Sequence, residues 1–156
     1  MRPLKMVLSF VLLATSLVAA QQSLVVNPHL YDESADARKE IAEALQRAKK
    51  DHKRVILVYG GNWCFDCHVL DYRFHQDGIR ELVEENYHVV HVDVGQYDKN
   101  LDLPVKYGAT IKKGVPAISI LSPTGKVLYG DITGGFEKAR SMDPNDLVAF
   151  LEKWKK

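Results

Sequence analysis

The chain contains two cysteines, Cys64 and Cys67, separated by Phe65 and Asp66 and followed at once by His68. Thiols at this spacing can close a disulfide, ligate a metal with further partners or, with the adjoining histidine, hold a covalent haem. Zinc needs four ligands, and His68, His75 and His91 are scattered without a second close-spaced pair. Haem needs an apolar pocket and usually a second axial ligand, whereas this pair follows an apolar run and opens a helical pattern. No metal and no organic cofactor is expected. Thiol-disulfide exchange remains, and the alternative is a redox-inert binding module in which the pair is a structural disulfide.

Position makes the two sulfurs unequal. The helical pattern begins at Cys64, where unpaired N–H groups and the positive end of the helix dipole lower a thiol below its free value of ~8.5. Cys64 is the expected nucleophile. Cys67 falls one turn inside, on the stripe of Leu70 and Phe74, so it is expected to be shielded and to attack the mixed disulfide second. Trp63 offers a flat apolar surface to a substrate segment, and Phe65 is expected to be exposed between the thiols, whereas Tyr72 and Phe74 are expected to pack. Asp66 puts a negative charge in the first turn, where it opposes the Cys64 thiolate and favours a reductase-like couple.

The elements that must hold this pair can be read around it. Val55-Ile56-Leu57-Val58-Tyr59 is a β-prone run without alternation, the pattern of a strand covered on both faces, and Gly60-Gly61-Asn62 ends it. Upstream, Asp32 or Ser34 is expected to cap a helix running to about Asp51 with Ile41, Leu45 and Ala48 on one stripe. Downstream, the helical pattern from Cys64 breaks near Gly78 and resumes with Ile79, Leu82 and Val83. Val90, Val92 and Val94 alternate with polar residues as a second strand, which implies a right-handed parallel crossover. Residues 98–107 read as a weaker helix, and residues 116–121 and 126–129 read as a hairpin. Asp143 and Pro144 open a last helix with Leu147, Phe150, Leu151 and Trp154 inward, and Gly134-Gly135 reads as a loop without phosphate-binding spacing. The fold class is α/β, a central mixed sheet flanked by helices.

These residues in this order, with Trp63-Cys64-Phe65-Asp66-Cys67, Val92-Asp93-Val94, Lys106-Tyr107-Gly108 and Gly114-Val115-Pro116, resemble the thioredoxin superfamily over most of residues 35–155. The chain is similar within it to exported bacterial thioredoxin-like proteins, including the soluble domains of periplasmic disulfide reductases. The resemblance implies a cis Val115-Pro116 bond facing the sulfurs, with Val115 backbone groups and Pro116 presented to an extended substrate. It departs from the cytosolic members in having Phe65-Asp66 in place of Gly-Pro and Val58 where they carry a buried acid. His91 falls where they often carry a lysine near that acid, which makes it a candidate for proton transfer to Cys67, with the plainer role of a half-buried histidine satisfied by a neighbour as the favoured reading.

Length and charge bound the rest. At 156 residues and 17.6 kDa the chain is one domain, and its 46% hydrophobic and 26% charged residues are those of a globular protein. A formal charge of +1 leaves no field with which to hold nucleic acid. Arg2 and Lys5, the apolar run from Met6 to Ala20 and the small residues before Gln21 form the pattern of a signal peptide over residues 1–20, cleaved after Ala20, with an uncleaved anchor as the lesser alternative. The expected product is a monomeric domain of residues 21–156 in the periplasm or secreted. Its expected partners are protein disulfides or thiols, and a membrane carrier is expected to supply its electrons.

Overall fold

The computed structural model describes residues 27–155, and the expected signal segment lies outside them. Strand β1 (Arg54–Gly60) is central in a four-stranded sheet of order β2-β1-β3-β4. It pairs in parallel with β2 (Tyr87–Asp93) and antiparallel with β3 (Ala117–Leu121), which forms the hairpin with β4 (Val127–Gly130). The sheet is therefore mixed. Helices α1 (Ala37–Asp51), α2 (Phe65–Phe74), α3 (Ile79–Asn86), α4 (Asp102–Lys106) and α5 (Pro144–Trp154) complete the domain, with a 3-10 turn at Ala139–Ser141.

Every residue from Val55 to Gly60 is buried, because successive side chains enter cores on opposite faces. Val55, Leu57 and Tyr59 pack with Ala37, Ile41, Ala44 and Ala48 of α1, and both cysteines join this cluster. Ile56 and Val58 pack on the other face with Leu70 and Phe74 of α2, Leu82 and Val83 of α3, and Leu147 and Leu151 of α5. Val58 thus fills an apolar core with an apolar side chain.

Three boundaries differ from the sequence reading. Helix α1 is capped by Asp36, whose carboxylate accepts from the Arg38 and Lys39 N–H groups at 3.0 and 3.2 Å. Asp32 instead closes a turn by accepting from Ser34 N at 2.9 Å, so of several capping residues the one that lets Ala37 and Ile41 face the sheet prevails. Strand β2 begins at Tyr87, before the valine alternation, because the buried Tyr87 hydroxyl donates to the Leu151 carbonyl at 2.6 Å. The helix expected over residues 98–107 shrinks to five residues, since Tyr97 and Asn100 adopt left-handed backbone angles, with φ of 66° and 51°, that an α-helix cannot contain. The break after α2 and the α5 start at Asp143-Pro144 fall where the sequence places them.

Candidate active site

The turn after β1 delivers the cysteines. Cys64 is the N-cap of α2 with extended backbone, and its sulfur lies 3.1 Å from the Cys67 N–H, at the end of the helix where a thiolate would gain a hydrogen bond and the dipole. The two cysteines form a disulfide. Cys67 is fully buried and Cys64 is 5% exposed, so the nucleophile shows only an edge to solvent. The Val115-Pro116 bond is cis, and the Val115 carbonyl oxygen stands 3.5 Å from Cys64 Sγ. The carbonyl of the sequence-distant Val115 therefore faces the pair.

Around this edge the surface is apolar. Trp63 and Phe65 are 46% and 49% exposed, and Trp63 is held by donation from Nε1 to the Gly95 carbonyl at 2.7 Å. Its ring leans on Tyr97, which continues into a groove lined by Leu101, Pro104, Val105 and Ile111. Phe74 is buried in the core.

The thioredoxin-like family model matches residues 36–123, more than half of the sequence. The chain belongs to this family. A disulphide isomerase from Xylella fastidiosa Temecula1 is 38% identical and superposes with a TM-score of 0.75, over 80% of this chain and 95% of that one. The reduced C-terminal domain of DsbD from Neisseria meningitidis shares the fold at 20% identity and a TM-score of 0.53, over 76% of this chain and 96% of that one. No curated protein matches significantly.

In this thioredoxin-like site Asp66 does not oppose Cys64 with a bare charge. Arg140 holds it in a fork, with Nε 3.1 Å from both carboxylate oxygens, and the Arg140 backbone N–H donates to Oδ1 at 2.9 Å. These bonds keep the Asp66 carboxyl below the usual carboxylate range. The guanidinium also lies 5.1 Å from the centre of the Phe65 ring, tying the residues between the cysteines to the turn before α5. No local signal connects position 66 to position 140, so the sequence could not foresee this cancellation.

His91, opposite Val58 in the β1–β2 register, has Nε2 3.3 Å from Asp71 Oδ1, and its ring makes a T-shaped contact with Tyr31 at 5.3 Å between centroids. Tyr31 in turn approaches Cys67. Its Oη and Cys67 Sγ each lie within 2.5 Å of the point where a Gly60 β-carbon would stand, so the two atoms are less than about 5 Å apart. Asn62 clasps the Tyr31 backbone, accepting its N–H and donating to its C=O, both at 2.9 Å. His68 Nε2 in turn donates to the Asn62 carbonyl at 2.7 Å, giving the histidine after the cysteine pair a structural duty. Sequence reasoning missed Tyr31, Asn62 and Arg140; only the polar Asn62 wedged between Gly61 and Trp63 offered a local hint.

Proposed function

We propose that this protein is an exported thiol-disulfide oxidoreductase that exchanges two electrons with protein disulfides through Cys64 and Cys67, with a reductase-like couple. The observation that carries the reading is a disulfide at a helix N-terminus, its outer cysteine edge open between Trp63, Phe65 and the Val115 carbonyl. Family membership and the Xylella relative, itself described as a disulphide isomerase, support the chemical class. Cys64 attacks a substrate disulfide, Cys67 displaces the product from the mixed disulfide, and the Cys64–Cys67 bond closes as the substrate gains two electrons and two protons. The exposed Trp63 and the adjoining apolar groove favour an extended apolar segment of an unfolded or flexible protein.

The direction follows from charge. Strong oxidases stabilise a very acidic thiolate, often with a cation between the cysteines, and here Asp66 occupies that place with its charge neutralised by Arg140. With only the helix terminus acting on Cys64, the couple belongs nearer the thioredoxin value of about −270 mV than the oxidase value of about −120 mV. Such a couple in an oxidising compartment needs a continuous electron supply, which a membrane carrier meets. Equilibration of the protein without residues 1–20 against glutathione tests this: a potential above about −160 mV overturns the reductase direction. A disulfide that mild reductant cannot open would instead favour the binding module.

A further inference from the structure

Tyr31 is 1% exposed, and its hydroxyl has no hydrogen-bond partner among the described residues. A buried hydroxyl in that state loses its hydration without compensation, so an unpaired one beside a reactive sulfur needs a reason. The acceptor it faces changes with redox state. Sulfur in a disulfide is a weak acceptor, whereas a thiolate carries full charge and accepts strongly. Building on the exchange chemistry above, we propose that the Tyr31 hydroxyl donates a hydrogen bond to the Cys67 thiolate, stabilising it both as the resolving nucleophile and as the leaving group.

The surroundings fit a donor held in place. Asn62 fixes the Tyr31 backbone from the loop that carries Cys64, the Tyr31 and His91 rings meet in a T-shaped contact, and Gly60 leaves out the β-carbon that would separate hydroxyl from sulfur. The titratable groups around the ring are Asp71 on α2 and His91 and Asp93 on β2, and Asp93 is paired with Lys99 at 3.3 Å. Burial, reinforced by Asp71 and Asp93, pushes the Tyr31 hydroxyl far above the ordinary phenol value, so it keeps its proton throughout. Tyr31 is unchanged over the cycle. In resolution Cys67 loses its proton to solvent, its thiolate attacks Cys64 Sγ, the Cys64–substrate S–S bond breaks, and the substrate sulfur departs with the electron pair and is protonated by water. When a donor thiolate later opens the protein disulfide at Cys64, Cys67 leaves as the thiolate and Tyr31 receives it.

Tyr31→Phe removes the hydroxyl and keeps the ring. Reduced protein is mixed with oxidised glutathione, and resolution of the Cys64–glutathione disulfide is followed by acid quench and mass spectrometry across pH. Loss of a hydrogen bond to a charged group lowers the Cys67 thiolate fraction about tenfold, moving the midpoint of the pH profile up by about one unit. The more basic thiolate is also more nucleophilic, so the net slowing below the midpoint is about threefold, with wild type losing its advantage above it. Packing damage alone does not shift that midpoint. In the wild type, ζ-13C-tyrosine NMR is the second measurement, and the Tyr31 signal should move as Cys67 titrates in the reduced protein. An unshifted Tyr31→Phe profile, or, if that variant does not fold, a Tyr31 signal blind to Cys67, overturns the proposal alone. A wild-type disulfide that excess dithiothreitol cannot open overturns the exchange reading and this proposal together.

Discussion

The two sulfurs differ by one helical turn, and that difference sets their expected behaviour as variants. Cys64→Ser should abolish exchange, while Cys67→Ser should leave Cys64 able to attack and accumulate a mixed disulfide visible on a non-reducing gel; accumulation by the first variant and not the second would reverse the roles. The Asp66–Arg140 fork gives a second pair with opposite signs. Asp66→Asn leaves the Arg140 cation near the first turn of α2 uncompensated and should lower the Cys64 pKa, whereas Arg140→Gln leaves the buried Asp66 charge there and should raise it. Thiolate absorbance of the reduced variants against pH reads both, and shifts of the same sign would show that the fork does not act on Cys64 through charge. The fork also has a pH signature of its own. Because Arg140 depresses the Asp66 pKa, its stabilisation is present above the usual carboxylate range and is lost as pH falls through the lowered folded value.

At the scale of elements, the site depends on the segment before α1 that carries Tyr31 being clasped to the β1–α2 turn. Asn62 satisfies both backbone polar groups of Tyr31 and reaches Glu33 Oε1 at 3.1 Å, so one side chain joins two pieces of chain that share no strand pairing. Asn62→Ala strands those partly buried groups and should destabilise the fold by about 1–3 kcal/mol in chemical denaturation. Amide exchange at Tyr31 should rise in the same variant, and unchanged protection would mean that the core packing of Tyr31 holds the segment unaided. Gly60→Ala is the converse case. Its new methyl group would meet Tyr31 Oη and Cys67 Sγ, costing about 1–3 kcal/mol by overpacking, and a variant as stable as the parent would contradict the close approach described above.

For the whole molecule, the disulfide contributes little to holding the fold. It closes a loop of sequence separation 3, for which loop-closure entropy gives about 2 kcal/mol, while most members of the two cores across β1 are side chains other than the cysteines. The reduced protein should therefore keep a cooperative unfolding transition and its far-ultraviolet circular dichroism; collapse on reduction would mark the bond as structural. Much of this architecture was legible beforehand. The unbroken apolar run of β1, the valine alternation of β2, the Asp143-Pro144 start and the position of Cys64 at a helix N-terminus are local signals, since hydrophobic period, capping chemistry and turn residues act within a few positions of one another. The sequence by itself thus determined the α/β order and the inequality of the two thiols. Tertiary structure alone decided what surrounds them: Arg140 arriving from 74 positions away to neutralise Asp66, and Tyr31 folding back beside Cys67 under the clasp of Asn62. Pairings of that kind depend on where β1, α2 and the loops come together in space, and charge cancellation and desolvation act through space over a few ångströms, whatever the separation along the chain.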